Sequence, residues 1–285
     1  MSLSRRDVAA LNAILREAAK AEVMPRFRRL GEGDVRAKSS PTDLVTEADE
    51  AAERAIASGL GAAFPGCLVV GEEAASADPD LIDALAGADL AVVVDPIDGT
   101  LNYASGAPLF CVMAAVIVRG ETVAAVIHDP VAGSSHMALA GQGAWCEEAD
   151  GRSFPLRVAS GGRPLRAMSG MVSWKYMLEP LRGAVTARFP AAADVSSLRC
   201  CGHEYRLAAS GATDFLVYGR LMPWDHAGGL LIHREAGGYA ALFDGSPYRP
   251  AARSPHGVIA APCREAFEAV RDALIAPGGA APGQL

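Results

Sequence analysis

Carboxylates gather in three short segments, each at the end of an apolar stretch. Glu72 and Glu73 stand in VVGEEA, Asp95 and Asp98 in VVVDPIDGT, and Asp225 in MPWDHAGG. Clustered carboxylate oxygens are the ligands that a hard cation such as Mg²⁺ requires, and bound Mg²⁺ commonly serves phosphoryl chemistry. Each acid alone has a structural alternative, since an Asp at a strand end is an ordinary turn or cap residue and Glu73 suits a solvated turn. Together they predict a Mg²⁺ site.

The DPIDGT string is the most informative of these segments. Pro96 fixes the turn after Asp95, and Asp98 returns a second carboxylate to the same side. Gly99 lets the backbone approach a ligand closely. Thr100 adds a hydroxyl and a backbone N–H where a helical turn is predicted to begin, the kind of terminus that receives phosphate.

Apolar periodicity predicts the elements that position these acids. An amphipathic helix or pair of helices is expected from about Arg5 to Leu30, and a second helix, EADEAAERAIASGLGAAF, with Thr46 as its N-cap and Asp49 in its first turn. CLVVGEEA reads as a short strand running into a turn. LAVVVDPIDGT reads as a buried strand that stops at Asp95 and Pro96. FCVMAAVIVRGETVAAVIHDP follows as a hairpin that turns at its Gly-Glu pair, within a meandering antiparallel sheet.

The pattern changes between residues 150 and 160. Beyond this point, short apolar runs such as DFLVYG alternate with helical stretches such as HAGGLLIHREA and REAFEAVRDALI, which is typical of an α/β layer arrangement. We therefore expect an α+β half over residues 1–155 that carries most of the acids. An α/β half over 156–285 carries Asp225 and ends in a frayed Pro/Gly-rich tail, APGGAAPGQL.

Composition limits the location and partners of the chain. The net charge of −7, with no Lys/Arg run, argues against a nucleic acid polymer as partner. Six scattered cysteines show neither zinc nor disulfide spacing and are expected to be reduced and mostly buried. The N-terminal segment has no signal-peptide core, and no run approaches the roughly 18 apolar residues of a membrane span. The sequence thus predicts a cytoplasmic protein without a membrane partner.

The order and spacing of several motifs resemble the inositol monophosphatase family, within the lithium-sensitive sugar phosphatases. The resemblance rests on GEE at 71–73, DPIDGTLNY at 95–103 and WDHAGGLLIHREAGG at 224–238, supported by DLVTEAD, GQGAWC and SGATDFLV, and it covers about residues 5–270. It implies α+β and α/β halves in a layered α-β-α-β-α sandwich, with the active site between the halves. It also implies lithium sensitivity, a homodimer and a small phosphorylated metabolite, such as a polyol or sugar phosphate, as substrate.

The resemblance further implies a set of two or three Mg²⁺ ions. By matching positions, Glu72, Asp95 and the backbone carbonyl of Ile97 would hold one ion. Asp95, Asp98 and Asp225 would hold a second, with Asp95 bridging the two. Two ions carry about the charge needed to offset the four carboxylates, so a phosphate would not be repelled.

Catalytic roles follow from the same resemblance. Gly99 and Thr100 would donate backbone N–H groups to the phosphate. The Thr100 hydroxyl, paired with Asp49, would accept a proton from a water that Glu72 orients. The water then displaces the alcohol in line, and no covalent enzyme intermediate is needed.

The segments that would choose the substrate depart from the inositol-specific pattern. Tyr218 stands seven residues before Asp225, where a glutamate commonly holds ring hydroxyls. Gly202, His203 and Glu204 lie in RCCGHEYR, which replaces a small-residue stretch. We expect Gly202 and Tyr218 to contact the substrate. His203 and Glu204 either line the pocket and replace the missing acceptor or form a local surface pair.

Other substrates and a non-catalytic role stay open at this point. The same chemistry would serve histidinol phosphate, fructose 1,6-bisphosphate or a nucleoside 3′,5′-bisphosphate, and a bisphosphate would need a second anion pocket. The available cations are Lys175, Arg199, Arg206 and Arg220. A catalytically silent binding module should have lost a ligand, whereas all are present. No P-loop, GxSxG or strand-linked GxGxxG motif occurs.

For three further residues of the WDHAGGLLIHREAGG segment we predict structural roles. Trp224 is expected to pack between the halves and place Asp225. His226 and His233 lack an HExxH context, so packing or solvent-facing positions are expected for them rather than zinc ligation.

Overall fold

The computed structural model describes residues 3–252 and 254–275, and the tail APGGAAPGQL lies outside them. Nine α-helices are described within those ranges: α1 (Arg5–Ala18), α2 (Glu47–Ala63), α3 (Glu72–Ala77), α4 (Asp80–Ala84), α5 (Thr100–Ala104), α6 (Leu181–Thr186), α7 (Cys201–Ala209), α8 (Pro223–Glu235) and α9 (Arg264–Val270). π-helical turns, Ala19–Val23 and Arg271–Ile275, extend α1 and α9, and 3₁₀ turns occur at Leu85–Gly87, Leu165–Ala167, Trp174–Tyr176 and Phe189–Ala191.

The strands of the described residues form three sheets. They are β1 (Val35–Ser40), β2 (Asp43–Thr46), β3 (Leu68–Gly71), β4 (Leu90–Asp98), β5 (Cys111–Val118), β6 (Glu121–Asp129), β7 (Ser134–Leu139), β8 (Ala144–Glu147), β9 (Ser153–Pro155), β10 (Ser169–Ser173), β11 (Asp194–Ser196), β12 (Phe215–Tyr218), β13 (Tyr239–Leu242) and β14 (Val258–Ala261). β1 and β2 form a small hairpin. β3 to β9 form a seven-stranded sheet in sequence order, antiparallel except for the β3–β4 pair. The five-stranded sheet has the order β11-β10-β12-β14-β13.

Alternating side chains bury both faces of the seven-stranded sheet. Val92 and Val94 of β4 point to the face covered by α1 and α2. Ala91 and Val93 point to the opposite face, against α7 and α8. A strand buried on both faces reads as a continuous apolar run, as LAVVV does.

The two halves share one continuous core. α7 and α8 pack on the seven-stranded sheet and also contact strands of the five-stranded sheet, and α9 covers the far face of that sheet. The layers therefore run α1/α2, sheet, α7/α8, sheet, α9. This arrangement confirms the layered α-β-α-β-α sandwich that the sequence predicts. None of the described helices is long and apolar enough to cross a membrane.

The chain departs from the sequence prediction at two places near the acids. β4 does not stop at Asp95 but continues to Asp98, and one extra residue enters its pairing with β5 between these positions. Such a bulge absorbs Pro96, which has no N–H to donate, without ending the strand. The segment after β3 is not a turn, because α3 begins directly at Glu72.

Candidate active site

A cavity of about 410 Å³ opens between the two halves. The predicted residues that line it are Glu72, Asp95, Ile97, Asp98, Gly99, Thr100, Glu204, Tyr218 and Asp225. They come from the carboxyl ends of β4 and β12 and from the starts of α3, α5, α7 and α8. The acids that the sequence scatters over more than 150 positions thus meet at one site.

Glu72 is positioned by a carboxylate from another helix. Glu53 of α2 accepts hydrogen bonds from the backbone N–H groups of Glu73 (2.8 Å) and Ala74 (2.9 Å), which are free donors at the start of α3. Gly71 makes this contact feasible, because a Cβ there would overlap the Glu53 carboxylate. The glycine of the GEE motif therefore serves the contact that fixes the first turn of α3.

Lys38 links the β1–β2 hairpin to the acidic side of the cavity. Its ammonium lies 2.9 Å from Glu72 Oε1 and 2.7 Å from Glu73 Oε1. Burial disfavours the charged form of Lys38, but the two carboxylates outweigh it and raise the pKa of Lys38. Burial raises the pKa of Glu73 to about 8, with the Glu72 charge adding to the effect. Glu73 is therefore a partly buried ion-pair partner and not a residue of a solvated turn, the structural alternative that its sequence position allows.

Asp95 is a buried acid and Asp225 a half-buried one, and neither has enough compensating charge. Burial, followed by repulsion from Glu72 and Asp98, raises the pKa of both carboxyls well above the usual range. Asp95 Oδ1 is fully buried and has no hydrogen-bond partner among the described residues. An orphaned carboxylate oxygen among other acids is costly unless a cation satisfies it.

Asp98 joins the two halves through the start of α7. Its Oδ2 accepts from the backbone N–H of Gly202 (2.5 Å) and the thiol of Cys200 (3.0 Å), and its Oδ1 accepts from the N–H of Cys201 (3.2 Å). Burial raises the pKa of Asp98 while these bonds oppose the rise. Oδ1 accepts only one bond and keeps a second lone pair, so the carboxylate can still bind a cation through this oxygen.

Thr100 begins α5 directly beside Asp49. The Thr100 hydroxyl lies 3.3 Å from Asp49 Oδ1 and 3.0 Å from the carbonyl oxygen of Ile97. Asp49 Oδ2 accepts from the Thr46 backbone N–H (2.8 Å) and hydroxyl (2.5 Å), which completes the capping box of α2. Burial raises the pKa of Asp49 to about 7, although the Thr46 bonds oppose it. Gly99 precedes this turn with φ +90°, and a Cβ there would meet the Leu109 carbonyl oxygen at 2.9 Å.

Glu204 and Tyr218 meet on the second-half side of the cavity. The Tyr218 hydroxyl donates to Glu204 Oε2 at 2.7 Å, while Oε1 accepts from the Leu198 N–H (2.8 Å) and the Ser197 hydroxyl (3.1 Å). Burial raises the pKa of Glu204 to about 7 against these three bonds. A carboxyl is thus present near the position where Tyr218 replaces the expected glutamate, but it comes from α7.

The structure does not bring Gly202 or His203 into the cavity, which corrects the expectation that they contact substrate. Gly202 packs behind Asp98, where a Cβ would meet the Met113 sulfur at 2.7 Å. His203 Nδ1 accepts from Arg206, which also pairs with Asp129 at 2.7 Å. The helical period turns His203 and Arg206 to the face of α7 opposite the cavity.

Trp224, His226 and His233 are all buried, and the first two line the cavity. Trp224 is buried in the core shared by the halves, as expected, and lines the cavity beside Asp225. His226 also lines the cavity; one ring nitrogen contacts the Tyr205 hydroxyl (3.1 Å) and the other the Arg220 carbonyl oxygen (2.9 Å). Burial lowers the pKa of His226 to about 4, so the ring is neutral near pH 7. His233 is buried, in agreement with the packing position and not the solvent-facing one.

Comparison with known proteins decides the family. A sequence model of the inositol monophosphatase family matches residues 5–275. The chain belongs to the inositol monophosphatase family. It is therefore a phosphatase of a family whose members cleave phosphoric monoesters of small phosphorylated substrates.

Individual relatives cover most of the chain. An inositol-1-monophosphatase of Mycobacterium leprae (strain TN) is 30% identical over 247 residues, which span 86% of this chain and 81% of the relative. The Nus factor SuhB of Escherichia coli (strain K12) is 29% identical over 243 residues, 82% of this chain and 85% of the relative. The solved IMPase of Thermotoga maritima superposes with a TM-score of 0.75 at 25% identity, covering 95% of this chain and 98% of that one.

The donor set of this family member fits a hard divalent cation. The candidate ligands are four carboxylates and one backbone carbonyl, all oxygen, and one carboxylate oxygen is buried without a partner. Mg²⁺ takes oxygen ligands of this kind, whereas a softer metal would favour sulfur or imidazole.

Glu53 and Lys38 are the site residues that the sequence analysis missed. Both act across long sequence distances, 20 residues from Glu53 to Glu73 and 34 from Lys38 to Glu72. Helical spacing offers a weak signal for Glu53, since it follows Asp49 by four residues and shares its face of α2. The sequence around Lys38 contains no signal that would have predicted its contact with Glu72.

Proposed function

We propose that this protein is a Mg²⁺-dependent phosphomonoesterase that hydrolyses a small polyol or sugar phosphate. The observation that carries the proposal is the convergence of Glu72, Asp95, Asp98 and Asp225 on one cavity beside the Thr100–Asp49 pair. The names of the mycobacterial relatives, inositol-1-monophosphatases, point to inositol 1-phosphate as the first substrate to test.

Glu72, Asp95 and the Ile97 carbonyl would hold one Mg²⁺, and Asp95, Asp98 and Asp225 would hold a second. Bound ions would offset the carboxylate charge, activate water and stabilise the leaving oxygen. The buried, unpartnered Asp95 Oδ1 supports the bridging assignment of this residue.

The chain's own groups would bind the phosphate and move one proton. The N–H groups of Gly99, the N-cap of α5, and of Thr100, its first residue, have no partners within the helix and would donate to phosphate oxygens. The Thr100 hydroxyl would accept the proton of the attacking water and pass its own toward Asp49. Glu72, held at the start of α3, would orient the water.

Glu204 and Tyr218 would bind hydroxyl groups of the substrate. The buried Glu204 carboxyl replaces the acceptor that Tyr218 does not supply, and the bond between them fixes both side chains. This pairing distinguishes the cavity from the inositol-specific pattern, so a preference for another polyol is expected.

A phosphate-release assay tests the proposal. Inositol 1-phosphate, glycerol 2-phosphate and sugar phosphates should be hydrolysed with Mg²⁺ and not with EDTA. Asp95→Asn should abolish turnover, because a neutral amide binds Mg²⁺ poorly. Substantial turnover in EDTA, or by the Asn variant, would count against the metal assignment. Li⁺ at limiting Mg²⁺ should inhibit, as the family resemblance implies, and light scattering should reveal the proposed homodimer.

A further inference from the structure

Three cations line the side of the cavity formed by the second half. Lys175 lies in the 3₁₀ turn that follows β10, Arg220 follows β12, and Arg199 precedes α7. β10 and β12 are adjacent parallel strands, with Ser173 opposite Tyr218 at their carboxyl ends. Lys175 and Arg220 therefore leave the sheet at the same edge, where open α/β sheets bind their ligands.

Within the described residues the three cations form no salt bridge, although the charges of Asp43 and Asp225 act on Lys175 and Arg220 respectively. Lys175 Nζ contacts the Thr42 carbonyl oxygen at 3.2 Å, and the Lys175 ammonium and Arg220 guanidinium lie 4.9 and 5.5 Å from the Tyr176 ring centre. Among the acids, Asp43 stabilises the charged form of Lys175.

The charges of Arg199 and Arg220 reach the ammonium group of Lys175. Burial lowers the pKa of Lys175, and the Arg199 and Arg220 charges lower it further, despite the opposing effect of Asp43. Arg199 adds a backbone cost, since it adopts φ +56° where a glycine would be relaxed. An anion bound among the three would relieve this repulsion.

We propose that Lys175, Arg199 and Arg220 form a second anion-binding site, so that the preferred substrate carries a second phosphate or a carboxylate besides the phosphoryl group that is hydrolysed. This inference rests on the proposed function, which places the scissile phosphate at the start of α5. Arg206 is not part of the site, because it pairs with Asp129 away from the cavity.

The charge at this site separates the candidate substrates. Histidinol phosphate carries an ammonium group next to its phosphate ester, and that group would be repelled by the three cations. A bisphosphate or a phosphorylated carboxylic acid would instead gain charge-assisted hydrogen bonds. Trp174 and Tyr176, 36% and 44% exposed, add ring faces on the same side of the cavity against which the body of the substrate can pack.

Steady-state kinetics with Mg²⁺ test the site. The substrates are glycerol 2-phosphate, fructose 1,6-bisphosphate, adenosine 3′,5′-bisphosphate and 3-phosphoglycerate, and the last distinguishes a carboxylate from a second phosphate. For at least one substrate that carries a second anionic group, kcat/KM should exceed that for glycerol 2-phosphate by roughly 10- to 100-fold, the scale of one or two hydrogen bonds to charged groups. Lys175→Met/Arg220→Met should erase that preference. Arg152→Met, which removes an exposed cation outside the cavity, should keep it.

Two results would overturn the second site and leave the proposed function intact. One is a wild-type enzyme that favours glycerol 2-phosphate over every substrate with a second anionic group. The other is a preference for a second anionic group that survives in the double variant. If no substrate is hydrolysed, the proposed function fails, and sulfate titration without Mg²⁺ by calorimetry then decides the site by itself. Sulfate should bind wild type at least about tenfold more tightly than the double variant. Equal or absent binding would reject the site.

Discussion

Identical carboxyl groups have different surroundings in and beside this cavity. Asp98 accepts three hydrogen bonds at the start of α7, Asp49 accepts two from Thr46, and Asp95 has one buried oxygen with no partner. Hydrogen bonds to a carboxylate stabilise its charge, while burial and neighbouring acids oppose it. Asp49 is thus suited to hold a proton near neutral pH, and the Asp95 carboxylate is suited to bind a cation.

The Thr100–Asp49 pair is expected to act as one catalytic unit. Thr100→Val keeps the β-branched shape and the backbone N–H, so phosphate binding should persist while kcat falls by about 10²- to 10⁴-fold. Asp49→Asn should cause a similar loss. The double variant should be little worse than either single variant, because residues that act together are not additive.

Thr100→Ser is the matched control, since it retains the hydroxyl, and it should keep most of the activity. Single-turnover rates with each variant separate chemistry from product release. Fully additive losses, or near-normal kcat in Thr100→Val, would show that Thr100 does not accept the proton.

Glu204 should make the stability of the protein depend on pH. Its pKa rises from 4.5 to about 7 on folding, because burial disfavours the carboxylate. The folded state therefore binds the proton more tightly, and this contribution is present below about pH 4.5 and lost as pH rises through 7. Glu204→Gln cannot lose a proton and keeps a carbonyl oxygen to accept from Leu198 and Ser197.

The unfolding free energy of Glu204→Gln relative to wild type should thus increase between pH 5 and pH 8, by up to roughly 3 kcal/mol. Urea denaturation at both pH values measures this difference. Glu17→Gln, an exposed site on α1, controls for loss of a surface carboxylate. A Glu204→Gln difference that stays flat with pH would contradict the assignment.

At the scale of elements, α3 depends on α2 for its first turn. Gly71→Ala should push the Glu53 carboxylate off the N–H groups of Glu73 and Ala74. The expected loss of stability is about 1–3 kcal/mol, with a higher Mg²⁺ requirement because Glu72 moves. Gly61→Ala in α2 is the control, since a Cβ there meets nothing within 4 Å and should stabilise the helix. Thermal unfolding and Mg²⁺ titration of activity measure both; equal behaviour would refute the capping role.

Local sequence patterns predicted the helices and strands better than the turns and irregularities between and within them. The capping box of Thr46 and Asp49, the apolar run of β4 and the helix carrying Asp225 all have short-range causes that a sequence displays. The hairpin turn lies one residue earlier than predicted, at Arg119 and Gly120, since Glu121 already pairs in β6. The bulge in β4 depends on register with β5, which the sequence of one strand does not reveal.

Contacts between distant segments could not be predicted for the same reason. His203 and Glu204 are adjacent in sequence, yet helix geometry sends one toward Arg206 and the other toward the cavity. Which face of α7 meets the cavity is set by packing between the two sheets.

At the scale of the whole molecule, the halves supply opposite charges to one cavity. The first half contributes Glu72, Asp95 and Asp98, and the second contributes the cations at the ends of β10 and β12. The exceptions are two acids of the central layer, Asp225 on α8 and Glu204 on α7. Relative movement of the halves would separate these groups, so the shared core of α7 and α8 is what keeps the site assembled.

In this arrangement the clustered acids should destabilise the folded protein when no cation is bound. Burial and mutual repulsion oppose ionisation of Asp95, so in EDTA at pH 8 the Asp95→Asn variant should unfold at a higher temperature than wild type. With Mg²⁺ at 100 times its dissociation constant, wild type should gain about 2.7 kcal/mol per site, and the variant little, because its bridging ligand is lost. The ranking of the two proteins should therefore reverse or narrow on adding Mg²⁺. Asp89→Asn, an exposed acid at the start of β4, should show no such crossover. Calorimetric melts of all three proteins in EDTA and in Mg²⁺ make the comparison, and an equal Mg²⁺ shift in Asp95→Asn would mean that this carboxylate does not hold the ion.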